Sequence, residues 1–246
     1  VHPDRPHELQ MFSSIPTIGA DVLWASPAIG GQANAGRAVK IAVIDSGIYI
    51  DNPFFDPAGF EYPAGFPRGE TEFTTPKVIA ARAYFRPDLP PVEGSETPLP
   101  GPFDSSHGTH VAGSAAGSAN TNAELAGLAV PISGVAPAAY LMNYKTFYAN
   151  DSPFSGSAWT IELVAALEDA VADGADVINN SWGGRPSSLP ATDPSVVAAE
   201  AAVDAGVTVV FAAGNSGPDL STHGAPSYSD KLISVGATTA GRSLQP

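Results

Sequence analysis

Five short apolar runs, residues 40–44, 140–145, 176–179, 207–212 and 232–235, are separated by segments that read as helices, and this alternation constrains the fold more than any other feature of the chain. The runs are continuous rather than alternating, as expected of strands covered on both faces. Helical patterns occupy 108–118, 158–173 and 194–204. In the second, Trp159, Leu163, Leu167 and Val171 recur every four residues and Gly174 follows, the pattern of an amphipathic helix with a glycine stop. The order β-α-β-α-β predicts an α/β fold: a doubly wound, mostly parallel sheet with helices on both faces, whose ligands lie beyond the C-terminal strand ends. Asp173-Gly174-Ala175-Asp176-Val177 and Asp204-Ala205-Gly206-Val207 share one helix–glycine–strand plan, the αβ half of a repeated crossover unit.

Between the first two runs the pattern breaks. Eleven of the 24 Pro fall within 53–102, a stretch read as a long Pro-rich surface excursion with one strand, 77–85, bounded by Pro76 and Pro87. Over the whole chain, residues 1–246, 43% apolar residues suffice for one buried core.

Composition narrows the chemistry. Twenty-five acidic against eleven basic side chains leave a formal charge of −14; the cations that phosphate contacts need are scarce, so nucleic acid is not expected as a partner. The absence of Cys excludes disulfides, thiolate metal sites and cysteine nucleophiles together, leaving Ser, His, Asp or Glu. No apolar run approaches the roughly 18 residues of a membrane span.

Asp45 closes the first run and is followed by Ser46-Gly47, a carboxylate at a C-terminal strand end. Such acids also serve nucleotide ribose, Mg²⁺ or loop capping. A dinucleotide fold would place G-x-G-x-x-G there, and the chain has Asp45-Ser46-Gly47 instead. His107 opens a segment of almost only small residues, Gly108-Thr109-His110-Val111-Ala112-Gly113, whose backbone can approach its neighbours closely. His107 and His110 share a helix face, but zinc needs a third ligand and no Glu-bearing i, i+4 motif is present, so no metal is expected. His2, His7 and His223 read as solvated loop residues.

Taken in order, Ile44-Asp45-Ser46-Gly47, His107-Gly108-Thr109-His110-Val111-Ala112-Gly113, Asn180-Ser181-Trp182-Gly183-Gly184 and Ala212-Ala213-Gly214-Asn215-Ser216-Gly217-Pro218 resemble the subtilisin-like serine proteases. The resemblance runs from about Trp24 to Thr239 and is most like larger secreted members in which a protease-associated domain interrupts the catalytic domain. It implies a serine endopeptidase acting on polypeptides, with Asp45 orienting His107, His107 as general base and Asn215 as the oxyanion donor. Ser181, Trp182 and Gly183 then form one wall of the pocket for the side chain before the scissile bond, Ala212, Ala213 and Gly214 the other, and 156–158 the opposing edge. Trp182 stands where the family usually has an aliphatic residue. Read alone, Asn215 also fits a left-handed turn and Trp182 a core aromatic.

The resemblance further implies secretion, an inhibitory propeptide, no cofactor for the chemistry, and structural calcium, for which Asp51 and Asp56 are weak candidates. The family's nucleophile lies in a Gly-Thr-Ser-Met-Ala-x-Pro segment, and nothing in the 246 residues matches it. The expectation is a C-terminally incomplete catalytic domain whose remaining part carries the serine, inactive alone. The alternative is a non-catalytic relative that binds peptides as a scaffold.

Overall fold

The computed structural model describes residues 10–101, 106–125, 127–149, 156–184, 192–217, 219–220 and 222–238. Strand β1 (Lys40–Asp45) sends Ile41 and Val43 to one core and Ala42 and Ile44 to another, the period of two of an extended chain. It lies between β6 (Tyr140–Lys145) and β7 (Val177–Asn180), parallel to both. With β2 (Arg68–Gly69), β3 (Val78–Ala83), β8 (Thr208–Ala212) and β9 (Ile233–Val235) they form a seven-stranded sheet of order β2-β3-β6-β1-β7-β8-β9. Every pairing in it is parallel. Such a sheet needs cover on both faces.

One face is covered by α4 (Thr160–Ala172) and α5 (Pro194–Asp204), whose Leu163, Leu167, Ala170, Ala199 and Ala202 pack on Ile44, Met142, Ile178, Val209 and Phe211. Each large apolar side chain buried there contributes about 1.5–3 kcal/mol. On the other face, Ala112 and Ala116 of α3 (His107–Ala116) meet Val43, Val78 and Leu141, with Ile48 and Phe55 filling the flank. The doubly wound α/β reading therefore holds.

The shared helix–glycine–strand plan has one mechanism at both places. Gly174 (φ 85°) and Gly206 (φ 93°) take the left-handed position after α4 and α5, and Ala175 and Val207 then donate back to Ala170 and Ala202. A side chain is strained in that conformation, which is why glycine ends each helix. At the front of α5, Asp193 accepts the Ser195 amide at 3.0 Å and Pro194 occupies the first turn. Asp176, expected to start β7, instead turns its carboxylate onto the amide and ammonium of Lys40 at 2.8 and 2.7 Å.

The Pro-rich stretch departs from its reading as a surface excursion. Its expected strand is β3, inside the sheet, and β2 adds an edge strand to it. Phe55 and Ser95 are buried, and the final leg is held by Asn143 and Lys145 of β6. Also unrecognised in the sequence are the short helices α1 (Gln10–Thr17) and α2 (Ala20–Trp24) and an antiparallel hairpin of β4 (Thr121–Leu125) and β5 (Leu128–Ile132). Too short to signal by periodicity, they depend on tertiary contacts such as Trp24 Nε1 donating to the Val135 carbonyl at 2.8 Å. Among the described residues no helix is long and apolar enough to cross a membrane.

Candidate active site

Asp45 ends β1 with its side chain only 4% exposed, and its Oδ1 accepts the Ser46 amide at 2.7 Å. Ser46 in turn accepts the Gly108 amide on its hydroxyl at 3.1 Å, joining the turn after β1 to the first residues of α3. Gly108 has no Cβ, and one placed there would meet the Gly47 carbonyl at 2.5 Å. The absent atom lets α3 approach until His107 Nδ1 lies 2.8 and 3.0 Å from the two Asp45 oxygens.

That geometry sets the imidazole's electrostatics. The hydrogen bond to Asp45 raises the His107 pKa above its usual value; partial burial opposes the shift and the attraction of the carboxylate adds to it. With Nδ1 engaged by Asp45, Nε2 is the ring nitrogen left for another partner. The side chain is 53% exposed and borders the adjoining cleft.

Two adjoining hollows lie beyond the C-terminal ends of the strands. The first, about 410 Å³, is lined by Asp45, Ser46, His107, Phe147, Tyr148, Gly156, Ser181, Trp182, Gly183 and Asn215. The second, about 810 Å³, shares Ser181, Trp182, Gly183 and Asn215 and continues to Gly184, Ala212, Gly214, Ser216, Thr222 and Gly224. Eight of the nine expected site residues thus line one continuous depression. Ala213 does not: its amide donates to Val235 at 2.9 Å and its carbonyl accepts from Gly224 at 3.1 Å, so its backbone joins β8 to β9 and to the following turn.

In the turn after β8 the left-handed residue is Gly214 (φ 104°), not Asn215, which removes backbone conformation as the reason for an asparagine there. Trp182 has both characters anticipated for it. Its ring packs edge-on to Phe211, centroids 4.9 Å apart and planes at 84°, and it also lines both hollows. Ser181 is held by Asn179 Nδ2 at 3.0 Å. Across the first hollow, Gly156 donates to the Tyr148 carbonyl at 3.1 Å and Tyr148 to that of Ser157 at 3.0 Å, which fixes the opposing edge.

The sequence reading missed Phe147, Tyr148, Thr222 and Gly224, and held Ser46, Gly184 and Ser216 only as parts of motifs. Gly224 carried the clearest signal, a glycine ahead of Ala225-Pro226 after a strand. It lies against the 183–184 segment because Gly184 and Ala225 exchange two backbone hydrogen bonds of 2.9 and 3.0 Å. His110 is exposed and borders a separate hollow with Phe54 and Ile132. His223 is not merely solvated, since its Nε2 meets Ser234 Oγ at 2.7 Å; His2 and His7 lie outside the described residues. Among the described residues no group of three or more His, Cys, Asp or Glu could hold a metal, and Asp56 Oδ1 is occupied by the Ala58 amide of its own turn.

Comparison with known proteins agrees with this architecture. The Subtilase family profile matches residues 36–246, and the chain belongs to that family. It is 31% identical to subtilisin-like protease SBT1.4 of Arabidopsis thaliana over 98% of its own length and 32% of the plant protein. To the minor extracellular protease Vpr of Bacillus subtilis (strain 168) it is 33% identical, over 93% of this chain and 23% of that protein. It thus spans a third or less of either relative. The fold is shared with a solved structure titled S41 psychrophilic protease, with a TM-score of 0.55 and 23% identity, covering 88% of this chain and 58% of that one. The structure of the prenylagaramide maturation protease PagA aligns over 88% of this chain and 57% of its own, with a TM-score of 0.53 and 19% identity.

Proposed function

We propose that this chain supplies the aspartate, the histidine and the oxyanion donor of a serine endopeptidase whose nucleophile lies on a segment outside these 246 residues. The observation that carries this reading is the two-oxygen approach of Asp45 to His107 Nδ1, at 2.8 and 3.0 Å, on the rim of a cleft that also holds Asn215. Asp45 accepts the Nδ1–H and fixes the tautomer, leaving Nε2 to take the proton of a serine hydroxyl as it attacks the peptide carbonyl. The Asn215 amide donates to the oxyanion of the tetrahedral intermediate. The same His107 then returns the proton to the leaving amine, so no cofactor is required.

The lining of the cleft supports a peptide substrate. Glycines 156, 183, 184, 214 and 224 leave room for an extended backbone along the edges, in the manner of strand addition. The relative named as an extracellular protease supports a secreted setting. An inhibitory propeptide would occupy the same edges as a substrate.

A fluorophosphonate probe, which reacts with an activated serine, tests the reading. Expected is no labelling of the 246-residue chain and strong labelling of a longer product that contains a Gly-Thr-Ser segment, abolished there by His107→Gln. Labelling of the short chain overturns the placement of the nucleophile. A longer product that carries the segment yet stays unlabelled favours the peptide-binding scaffold.

A further inference from the structure

The final leg of the Pro-rich stretch, residues 95–100, is fastened to β6 by side chains that packing alone does not explain. Asn143 Nδ2 donates to the Pro98 carbonyl at 2.8 Å, and Lys145 Nζ donates to those of Ser95 and Leu99 at 3.0 and 2.7 Å. Asn143 and Lys145 are fully buried, and they stand in register with Val43 and Asp45 of β1. Residues two apart on a strand share a face, so both anchors project from the side of the sheet that carries Asp45. Asn143 keeps this bond while its Oδ1, also buried, has no protein partner among the described residues. A leucine of similar volume would avoid that cost.

What the anchored leg touches gives the arrangement its meaning. Gly47, in the turn after Asp45, has φ 105°, and a Cβ on it would meet Pro98 O at 2.6 Å and Pro100 N at 3.0 Å. On its other side the same residue carries the start of α3, where a Cβ on Gly108 would meet Gly47 O at 2.5 Å. Three stretches of backbone are stacked without side chains between them: the leg 98–100, the turn 46–47, and the first residues of α3. Any retreat of the outer layer frees the turn that holds Asp45 and Gly108 in place.

We infer that Asn143 and Lys145 are positioning residues for the Asp45–His107 pair, acting through the final leg of the Pro-rich stretch. The inference rests on the proposed role of that pair and adds a purpose for the stretch: it backs the turn from which the aspartate projects. Neither residue touches substrate. Both act by denying the turn room to relax, as supporting shells do in preorganised sites.

The test uses the 246-residue chain and reads the His107 hydrogen bond directly by proton and nitrogen NMR, with His107→Gln to assign the signals. The wild-type chain is expected to show a low-field Nδ1–H resonance and a pKa above the free value. In Asn143→Leu, which changes no charge, the resonance should broaden or vanish and the His107 pKa should fall toward its free value, with an unchanged far-ultraviolet circular dichroism spectrum. Lys145→Met should lose the resonance as well, and Lys145→Arg, which keeps a charged donor, should regain part of it. Folded Asn143→Leu and Lys145→Met chains that keep the wild-type resonance overturn the proposal alone. A wild-type chain whose His107 titrates at the free value overturns the reading of the pair, and the proposal with it. If the variants do not fold, hydrogen exchange in the wild-type chain decides. The amides of Ser95, Ser46 and Gly108 should open together, with protection factors within about tenfold of one another; a freely exchanging Ser95 beside protected Ser46 and Gly108 overturns the proposal.

Discussion

Gly108 and Gly47 meet backbone to backbone: a Cβ on residue 108 would stand 2.5 Å from the Gly47 carbonyl oxygen and 3.1 Å from Asp45 Oδ1. Neither obstacle can yield, because Gly47 is backed by the 98–100 backbone and Asp45 by the sheet. Gly108→Ala is therefore expected to destabilise the chain by about 1–3 kcal/mol and to bring the His107 pKa down toward its free value as α3 retreats. Gly113→Ala is the control, since its Cβ would meet side chains rather than backbone, the Phe54 ring at 2.8 Å and Phe55 at 4.0 Å, away from Asp45. Urea denaturation and NMR titration of both variants check this. An equal loss of stability at the two positions, with His107 unmoved, contradicts it.

The raised pKa of His107 fixes the sign of a pH effect. A group that binds its proton more tightly when folded contributes stability that is fully present below its unfolded pKa, about 6.5, and is lost as pH rises through the folded value. The wild-type chain should accordingly exceed His107→Gln in denaturation midpoint most at about pH 5 and progressively less toward pH 9. An advantage that grows with pH would refute the assignment of the hydrogen bond. In a longer, active product, peptidase activity should rise with pH through the same raised value, because only the neutral imidazole accepts a proton.

How far the sequence could be read depended on how local each cause was. The strands around Val43, Met142, Ile178 and Val209 and the helix stops at Gly174 and Gly206 follow from patterns within a few residues, and they stand where expected. Asp45, His107 and Asn215 were legible by their setting in motifs. The backing role of 95–100 was not, since it depends on Lys145 and Asn143 reaching backbone carbonyls roughly 45–50 residues away in sequence, and proline content by itself reads as loop. Ala213 shows the opposite error. Its neighbours Ala212 and Gly214 line the cleft, but its own amide and carbonyl are engaged by Val235 and Gly224. Gly224 became visible only through the bridge that brings Ala225 to Gly184.

Asn215 is exposed, and Gly214 carries the strained turn, so Asn215→Ala should leave the stability of the chain within about 0.5 kcal/mol of wild type. In a longer, active product the same change should lower kcat about 10²–10³-fold with little change in KM, the loss known for such a donor in subtilisin. Steady-state kinetics on a chromogenic peptide separate the two constants. A variant that loses KM instead, at unchanged kcat, would place Asn215 in ground-state binding.

Gly224 controls the larger hollow. Its φ is not left-handed, so a side chain is tolerated by the backbone, yet a Cβ there would lie 3.0 Å from Gly184 O and 3.7 Å from Ala213 O. Both are main-chain atoms, the first tied by the 184–225 bridge and the second by the Gly224 amide it accepts, and the remaining lining, apart from Trp182, is small. Valine at 224 is therefore expected to take up part of the hollow that Trp182 and Ala212 also line. If that space receives the side chain before the scissile bond, Gly224→Val in a longer, active product should lower kcat/KM for substrates with Phe or Leu at that position about 10–100-fold and leave those with Ala nearly unchanged. The comparison is internal, because misfolding or damage to the Asp45–His107 pair would depress both substrates alike. An unchanged kcat/KM for the Phe and Leu substrates would remove the larger hollow from the substrate path and leave the smaller one, beside Tyr148 and Gly156, as the place where the side chain is received.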